Sequence, residues 1–181
     1  MNYYYDKLIT KPLKTKILLT ALSLLLTFQF IAAQSEYDFI PYRSGKLWGY
    51  CDTLGIVRVK PVYDSVSFFT FFHNDYRAGY VLKNKKMGMV NHLGKEVIPP
   101  VYDEIEFGAT NLVLKKGKLF GVANLDGKII VPFQYDKIFQ YNGSIIVRKK
   151  GKYGFYNKTG KLIAPLKYTD FQIVKGEDYT K

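Results

Sequence analysis

Sulfur, imidazole and negative charge are all scarce in this chain. Its 181 residues hold one cysteine and two histidines, and 15 acidic side chains stand against 27 basic ones. A lone Cys51 excludes an internal disulfide, so stability must come from a packed sheet or core. His73 and His92 lie far apart and neither has a partner at metal-ligand spacing. No nucleophile, base and orienting group can be assembled from the sequence either. The expectation is therefore a chain that is not an enzyme, with no metal, no cofactor and no catalytic residue. Tryptophan occurs once, at Trp48.

Long apolar runs are nearly absent too. The one present, from Ile17 to Ile31, follows Lys7, Lys11, Lys14 and Lys16 and ends in Ala32 and Ala33. Charged, apolar and small segments in that order read as a secretory signal peptide over residues 1–33, in which a signal helix would precede the mature chain. The alternative, an uncleaved anchor, is disfavoured because the run carries Thr20, Ser23, Thr27 and Gln29 and is shorter than the roughly 20 residues that span a bilayer. A lipid anchor would need a cysteine at the cut, and there is none. Residues 34–42 read as a cap segment and 175–181 as a tail. The localisation implied is periplasmic, cell-surface or secreted.

What the chain has in quantity is aromatic, apolar and basic side chains. It is 17% aromatic and 48% hydrophobic, enough for a packed core rather than disorder. Its net charge is +12, and removing the leader, with four lysines and Asp6, leaves +9. A basic exported domain favours anionic partners such as envelope polymers, acidic polysaccharide or phospholipid surfaces. Nucleic acid is set aside because export keeps the two apart.

One phrase recurs four times: a large apolar residue, a glycine, a polar turn closed by a second glycine, then proline and tyrosine. The copies are Trp48, Gly49, Gly55, Tyr63; Met87, Gly88, Gly94, Tyr102; Phe120, Gly121, Gly127, Tyr135; and Tyr153, Gly154, Gly160, Tyr168. A period in the thirties marks a repeat architecture, in which each unit buries its apolar face against the next. The copies run approximately 43–81, 82–113, 114–146 and 147–174. Asp52, Asn91, Asn124 and Asn157 open the polar turns and a glycine stands fourth in each, the signature of a type I turn followed by a G1 bulge. Apolar residues flank each first glycine with a period of two, as in a strand. A strand glycine implies a close approach, and the repeated tyrosine ring is expected to cover it. Prolines 61, 99, 100, 132 and 165 stop or bend the second strand. A third strand, such as 112–115 or 145–149, leads to the next copy. Asp64, Asp103 and Asp136 read as turn caps, and Cys51 as a small buried residue in the slot of Val90, Ala123 and Tyr156.

The strings GKLWGYCDTLGIVRVKPVYD, NKKMGMVNHLGKEVIPPVYD, GKLFGVANLDGKIIVPFQYD and GKYGFYNKTGKLIAPLKYTD resemble bacterial WG repeats, over roughly Arg43 to Val174. Only Trp48 supplies the tryptophan, with Met87, Phe120 and Tyr153 in its place elsewhere. The resemblance implies an all-β tandem array of antiparallel hairpins in exported or multidomain proteins, and it implies no catalytic residue. The expected architecture is four meanders of about three strands, in an open twisted solenoid or, alternatively, a propeller-like closure.

Two features could carry function. Basic residues recur at one station of each copy: Arg43 and Lys46; Lys83, Lys85 and Lys86; Lys115, Lys116 and Lys118; Arg148, Lys149, Lys150 and Lys152. Stacked with constant geometry they form a ridge for a polyanion, although lysines also keep turns soluble and blunt strand edges. The glycine-to-glycine interval is 39 for the first pair and 33 for the next two. The six extra residues fall in an aromatic stretch containing Phe68, Phe69, Phe71, Phe72 and Tyr76, which is either a loop that stacks on sugars or docks a protein, or a hydrophobic cap. The function expected is an exported binding or scaffolding module of the cell envelope with an anionic, glycan or protein partner. A purely structural spacer is the alternative, and an enzyme with an unrecognised site ranks behind both.

Overall fold

The computed structural model describes residues 39–72, 76–108 and 110–171, all within one compact unit that spans Tyr37–Lys181. The leader 1–33, residues 34–38 of the cap segment, the tail 175–181 and His73 lie outside the described residues.

Among the described residues every element is a strand, and the strands form four antiparallel sheets in chain order. The first holds β1 (Ile40–Ser44), β2 (Leu47–Cys51) and β3 (Val57–Tyr63). The second holds β4 (Ser65–Val66), β5 (Thr70–Phe71), β6 (Arg77–Lys83), β7 (Lys86–Asn91) and β8 (Glu96–Tyr102), with β4 and β5 both paired to β6. The third holds β9 (Glu104–Phe107), β10 (Asn111–Lys116), β11 (Leu119–Asn124) and β12 (Ile129–Tyr135). The fourth holds β13 (Lys137–Tyr141), β14 (Ser144–Lys149), β15 (Lys152–Asn157) and β16 (Leu162–Tyr168).

Three sheets therefore exceed the expected three-strand meander, the second by two strands and the third and fourth by one each. The residues after each Tyr-Asp step form the opening strand of the following sheet, and the chain crosses between sheets at the single residues Asp64, Asp103 and Asp136. One sequence copy, such as 82–113, thus supplies the last two strands of one sheet and the opening strands of the next. Among the described residues the first sheet is the one without an opening strand.

The polar turns follow the expected type. In the first, the Gly55 amide donates to the Asp52 carbonyl at 2.9 Å, Gly55 has φ +78°, and the Asp52 carboxylate accepts from the Leu54 and Ile56 amides. Asn91, Asn124 and Asn157 repeat the pattern with their side-chain oxygens. Such side-chain acceptors satisfy turn amides that the ladder leaves free.

The strand glycines require a correction, because the tyrosine ring does not cover them. Trp48 pairs with Tyr63 and Tyr50 with Val59, so Gly49 alone faces Lys60, Pro61 and Val62. The same three-against-one bulge sets Gly88 against Pro99, Pro100 and Val101, Gly121 against Pro132, Phe133 and Gln134, and Gly154 against Pro165, Leu166 and Lys167. A Cβ on Gly49 would run into the backbone of Val59 and Lys60, one on Gly88 would lie 2.6 Å from the Ile98 carbonyl, and one on Gly121 would lie 3.0 Å from the Phe133 ring. Proline fits a bulge because no ladder donor is needed there, and glycine opposite makes room for the displaced chain. The tyrosine instead closes the pair with the large residue before the glycine.

Three apolar clusters fill the three junctions between consecutive sheets. Tyr50, Val59 and Tyr63 of the first sheet meet Val81 and Val90 of the second. Met89 and Ile98 meet Ile105, Leu112, Leu114 and Ala123 at the next junction, and Val122, Val131 and Tyr135 meet Ile138, Ile145 and Val147 at the last. Period-two alternation buries both faces of the second and third sheets, which have a neighbour on each side, and this explains the near-continuous apolar runs in β6 and β10.

Candidate functional site

The pairs β1 and β2, β6 and β7, β10 and β11, and β14 and β15 each join at what we term the upper end of their sheet. The upper turns are Gly45-Lys46, Asn84-Lys85, Gly117-Lys118 and Lys150-Gly151, fixed by the pairs Ser44 with Leu47, Lys83 with Lys86, Lys116 with Leu119 and Lys149 with Lys152. Asn84, Lys85 and Lys150 hold positive φ, at +52°, +62° and +49°, as two-residue turns between twisted strands demand. The pairs β2 and β3, β7 and β8, β11 and β12, and β15 and β16 join at the lower end, in the Asp52, Asn91, Asn124 and Asn157 turns.

The aspartate of each Tyr-Asp step caps the upper turn of the next sheet. Asp64 accepts from the Asn84 amide at 2.7 Å, Asp103 from Gly117 at 2.6 Å and Asp136 from Lys150 at 2.7 Å. The Lys86 ammonium and then the Gly117 amide hold the Asp103 carboxyl below its ordinary range, outweighing partial burial. Burial pushes the Asp52 carboxyl up, but the Ile56 amide, the Arg58 guanidinium and the Leu54 amide outweigh it and keep it low.

All the expected ridge residues lie at or next to these upper turns. Lys46, Lys83, Lys85, Lys116, Lys118, Lys150 and Lys152 are exposed there. Four others are engaged or withdrawn. Lys86 pairs with Asp103, Lys115 pairs with Glu104 and lies over the Phe120 ring, and Lys149 donates to Gln134 at 3.3 Å. Arg148 is half-buried and its Nε has no hydrogen-bond partner. Arg43, the remaining basic residue of that station, donates to the Gly45 carbonyl and covers Trp48.

The aromatic stretch divides between two roles. Phe69 packs edge-on against Tyr50 at 4.9 Å and Phe39 at 5.4 Å, inside the first junction. Phe72 stacks on Phe107 at 3.7 Å, and the Tyr76 hydroxyl donates to the Leu125 carbonyl at 2.9 Å, both against the third sheet. Burial pushes the Tyr76 phenol up to about 12, helped by the nearby Asp126 charge. Phe68 and Phe71 point out, 75% and 70% exposed. Phe71 pairs with Arg77 near the lower end, whereas the lysines sit at the upper end. The strand between, Arg77–Lys83, is seven residues long and separates them by about 20 Å at the usual rise. One compact ligand does not reach both.

Cys51 is half-buried rather than enclosed, because the face of the first sheet that carries it has no preceding sheet against it among the described residues. His92 is a lower-turn residue whose amide donates to the Arg77 carbonyl and whose Nδ1 is buried without a hydrogen-bond partner. Among the described residues no group of three or more His, Cys, Asp or Glu side chains could hold a metal. A groove of about 480 Å³ runs between the opening strands of the third and fourth sheets, with Glu106, Phe107, Lys137, Phe139 and Tyr141 in its walls. The sequence reading assigns no strand to residues 104–107 or 137–141, and the groove exists only because both segments are strands.

The family described as WG containing repeat matches residues 48–85, 87–107, 120–153 and 153–176. Among curated proteins nothing matches. Among solved structures, Kluyveromyces lactis Hsv2 aligns with 67% of this chain at 8% identity and a TM-score of 0.34. The alignment spans 42% of that protein's chain.

Proposed function

Since the chain belongs to the WG containing repeat family, we propose that it is a non-catalytic binding or scaffolding module, exported to the cell envelope, whose partner is an anionic polymer. The observation that carries this reading is the placement of seven exposed lysines at the upper ends of four consecutive sheets. A repeat presents the same station at each step, so a polyanion laid across it meets several ammonium groups at once. Phe68 and Phe71 form a separate apolar contact, suited to a sugar ring or a protein surface. The sheets form an open twisted array, a reading supported by apolar junctions that link each sheet to the next and by exposed Ile40 and Tyr168 at the two outer faces.

Binding to immobilised polysaccharides tests the proposal. A sulfated or uronic-acid polymer is expected to retain the chain at low salt and release it as ionic strength rises, because exposed charges are screened over about 8–10 Å in physiological salt. A neutral polymer of the same backbone is expected to retain little. Equal retention on both, with no salt dependence, would rule the anionic partner out.

A further inference from the structure

Every interior junction joins two distinct kinds of face. The forward face of a sheet presents a large residue before the strand glycine, an apolar residue after it, and the repeated tyrosine. Examples are Tyr50, Val59 and Tyr63 in the first sheet and Val122, Val131 and Tyr135 in the third. The rear face of the following sheet presents smaller aliphatic residues beside the glycine, as with Leu112, Leu114 and Ala123, or Ile145 and Val147. Two faces of this set are unmatched among the described residues. One is the forward face of the fourth sheet, with Tyr153, Phe155, Ala164 and Tyr168. The other is the rear face of the first, with Ile40, Tyr42 and Cys51.

Exposure marks both as half-junctions. Tyr168 is 39% exposed while its counterparts Tyr63 and Tyr135 are at 3% and 2%. Ile40 is 44% exposed while Leu112 and Ile145, at its place in later sheets, are at 0% and 1%.

The strand count points the same way. Val66, Ile105 and Ile138 each stand three residues beyond the repeated tyrosine, lie in the opening strand of a sheet, and pack on the sheet before. Phe171 stands three beyond Tyr168 and packs edge-on against Tyr153 at 4.9 Å and Phe155 at 5.8 Å. It therefore occupies the place where a further sheet would open. Among the described residues the first sheet is the one that lacks an opening strand: β1 holds the position of β6, β10 and β14 and pairs with β2 alone.

We propose that a second copy of this chain docks its first sheet on the fourth sheet of the first copy, continuing the array head to tail. The new junction repeats the interior ones: Tyr153, Phe155 and Tyr168 meet Ile40, Tyr42 and Cys51 of the second copy, and Phe171 lies beside its β1. Such an interface is heterologous, so it generates a ring or an open chain of copies rather than a face-to-face pair.

Cys51 gives a direct test. At the third junction the Tyr135 and Tyr156 hydroxyls lie 2.6 Å apart, and the equivalent pair across the proposed junction is Tyr168 and Cys51. The full chain carrying Tyr168→Cys, mixed from ¹⁴N- and ¹⁵N-labelled preparations and treated with a short bismaleimide, is expected to give dimers and larger species. Their linked peptides should include pairs of one light and one heavy partner, and adding Cys51→Ser should abolish the links. Unmodified chain should show a mass that rises with concentration in sedimentation velocity. Links confined to peptides of one isotope would mean closure within a chain and overturn the proposal. So would a concentration-independent monomer whose Cys51 accepts a monofunctional maleimide freely.

Discussion

The Asp103 carboxylate, at the close of the second sheet, accepts the Gly117 amide in the upper turn of the third at 2.6 Å. It also pairs with Lys86, in the upper turn region of its own sheet. One side chain thus ties two consecutive repeats together, and the Asp64 and Asp136 caps repeat the link to the following turn.

That relationship has a pH signature. Lys86 and the Gly117 amide hold the folded-state carboxyl low, so its contribution is fully present above the ordinary aspartate value of about 3.9 and is lost as pH falls through the lower folded-state value. Asp103→Asn should therefore melt below the unsubstituted chain at neutral pH, and the gap should narrow on acidification below about 3.9. Thermal melts followed by circular dichroism across that range check it.

The strand glycines separate into those opposed by backbone and one opposed by a ring. Gly49→Ala meets the Val59 and Lys60 backbone and should cost about 3 kcal/mol, the upper part of the usual overpacking range. Gly121→Ala meets the Phe133 ring at 3.0 Å, which can pivot, and should cost about 1 kcal/mol. Adding Phe133→Leu should be cheaper in the Gly121→Ala background than alone, a coupling that urea unfolding of the four variants measures.

Within the aromatic stretch, neighbouring residues should behave oppositely. Phe72→Ala loses the stack on Phe107 and should destabilise by roughly 2–4 kcal/mol, in the range of large apolar truncations. Phe68→Ala, at an exposed position, should stay within about 0.5 kcal/mol of the unsubstituted chain. The same unfolding measurement distinguishes them.

Local chemistry was readable in the sequence and distant pairing was not. The Asp52 to Gly55 turn follows from residue types within four positions, and its hydrogen bonds are those expected. The bulge over Gly49 depends on where β3 registers against β2, which composition does not encode. Glu104 to Phe107 look like loop residues until β10 is seen to pair with them. The basic station was visible as a charge pattern, yet the partners that engage Lys86 and Lys115 come from Asp103 and Glu104, 17 and 11 residues away. Likewise, the lysines and the exposed Phe71 separate to opposite ends only once β6 runs between them.

Position rather than total charge is what the proposed binding role requires, and two charge-matched variants test it. Lys85, Lys116, Lys118 and Lys150 lie at the upper end, and Lys95, Lys128, Lys158 and Lys161 lie exposed at the lower end. Changing each set to glutamine removes the same charge from the chain. Titration with an anionic polysaccharide at low salt should show at least about a tenfold loss of affinity for the upper set, the equivalent of about 1.4 kcal/mol, and little change for the lower set. Equal losses from both sets would contradict the account, because binding would then follow net charge and not the arrangement of the repeats.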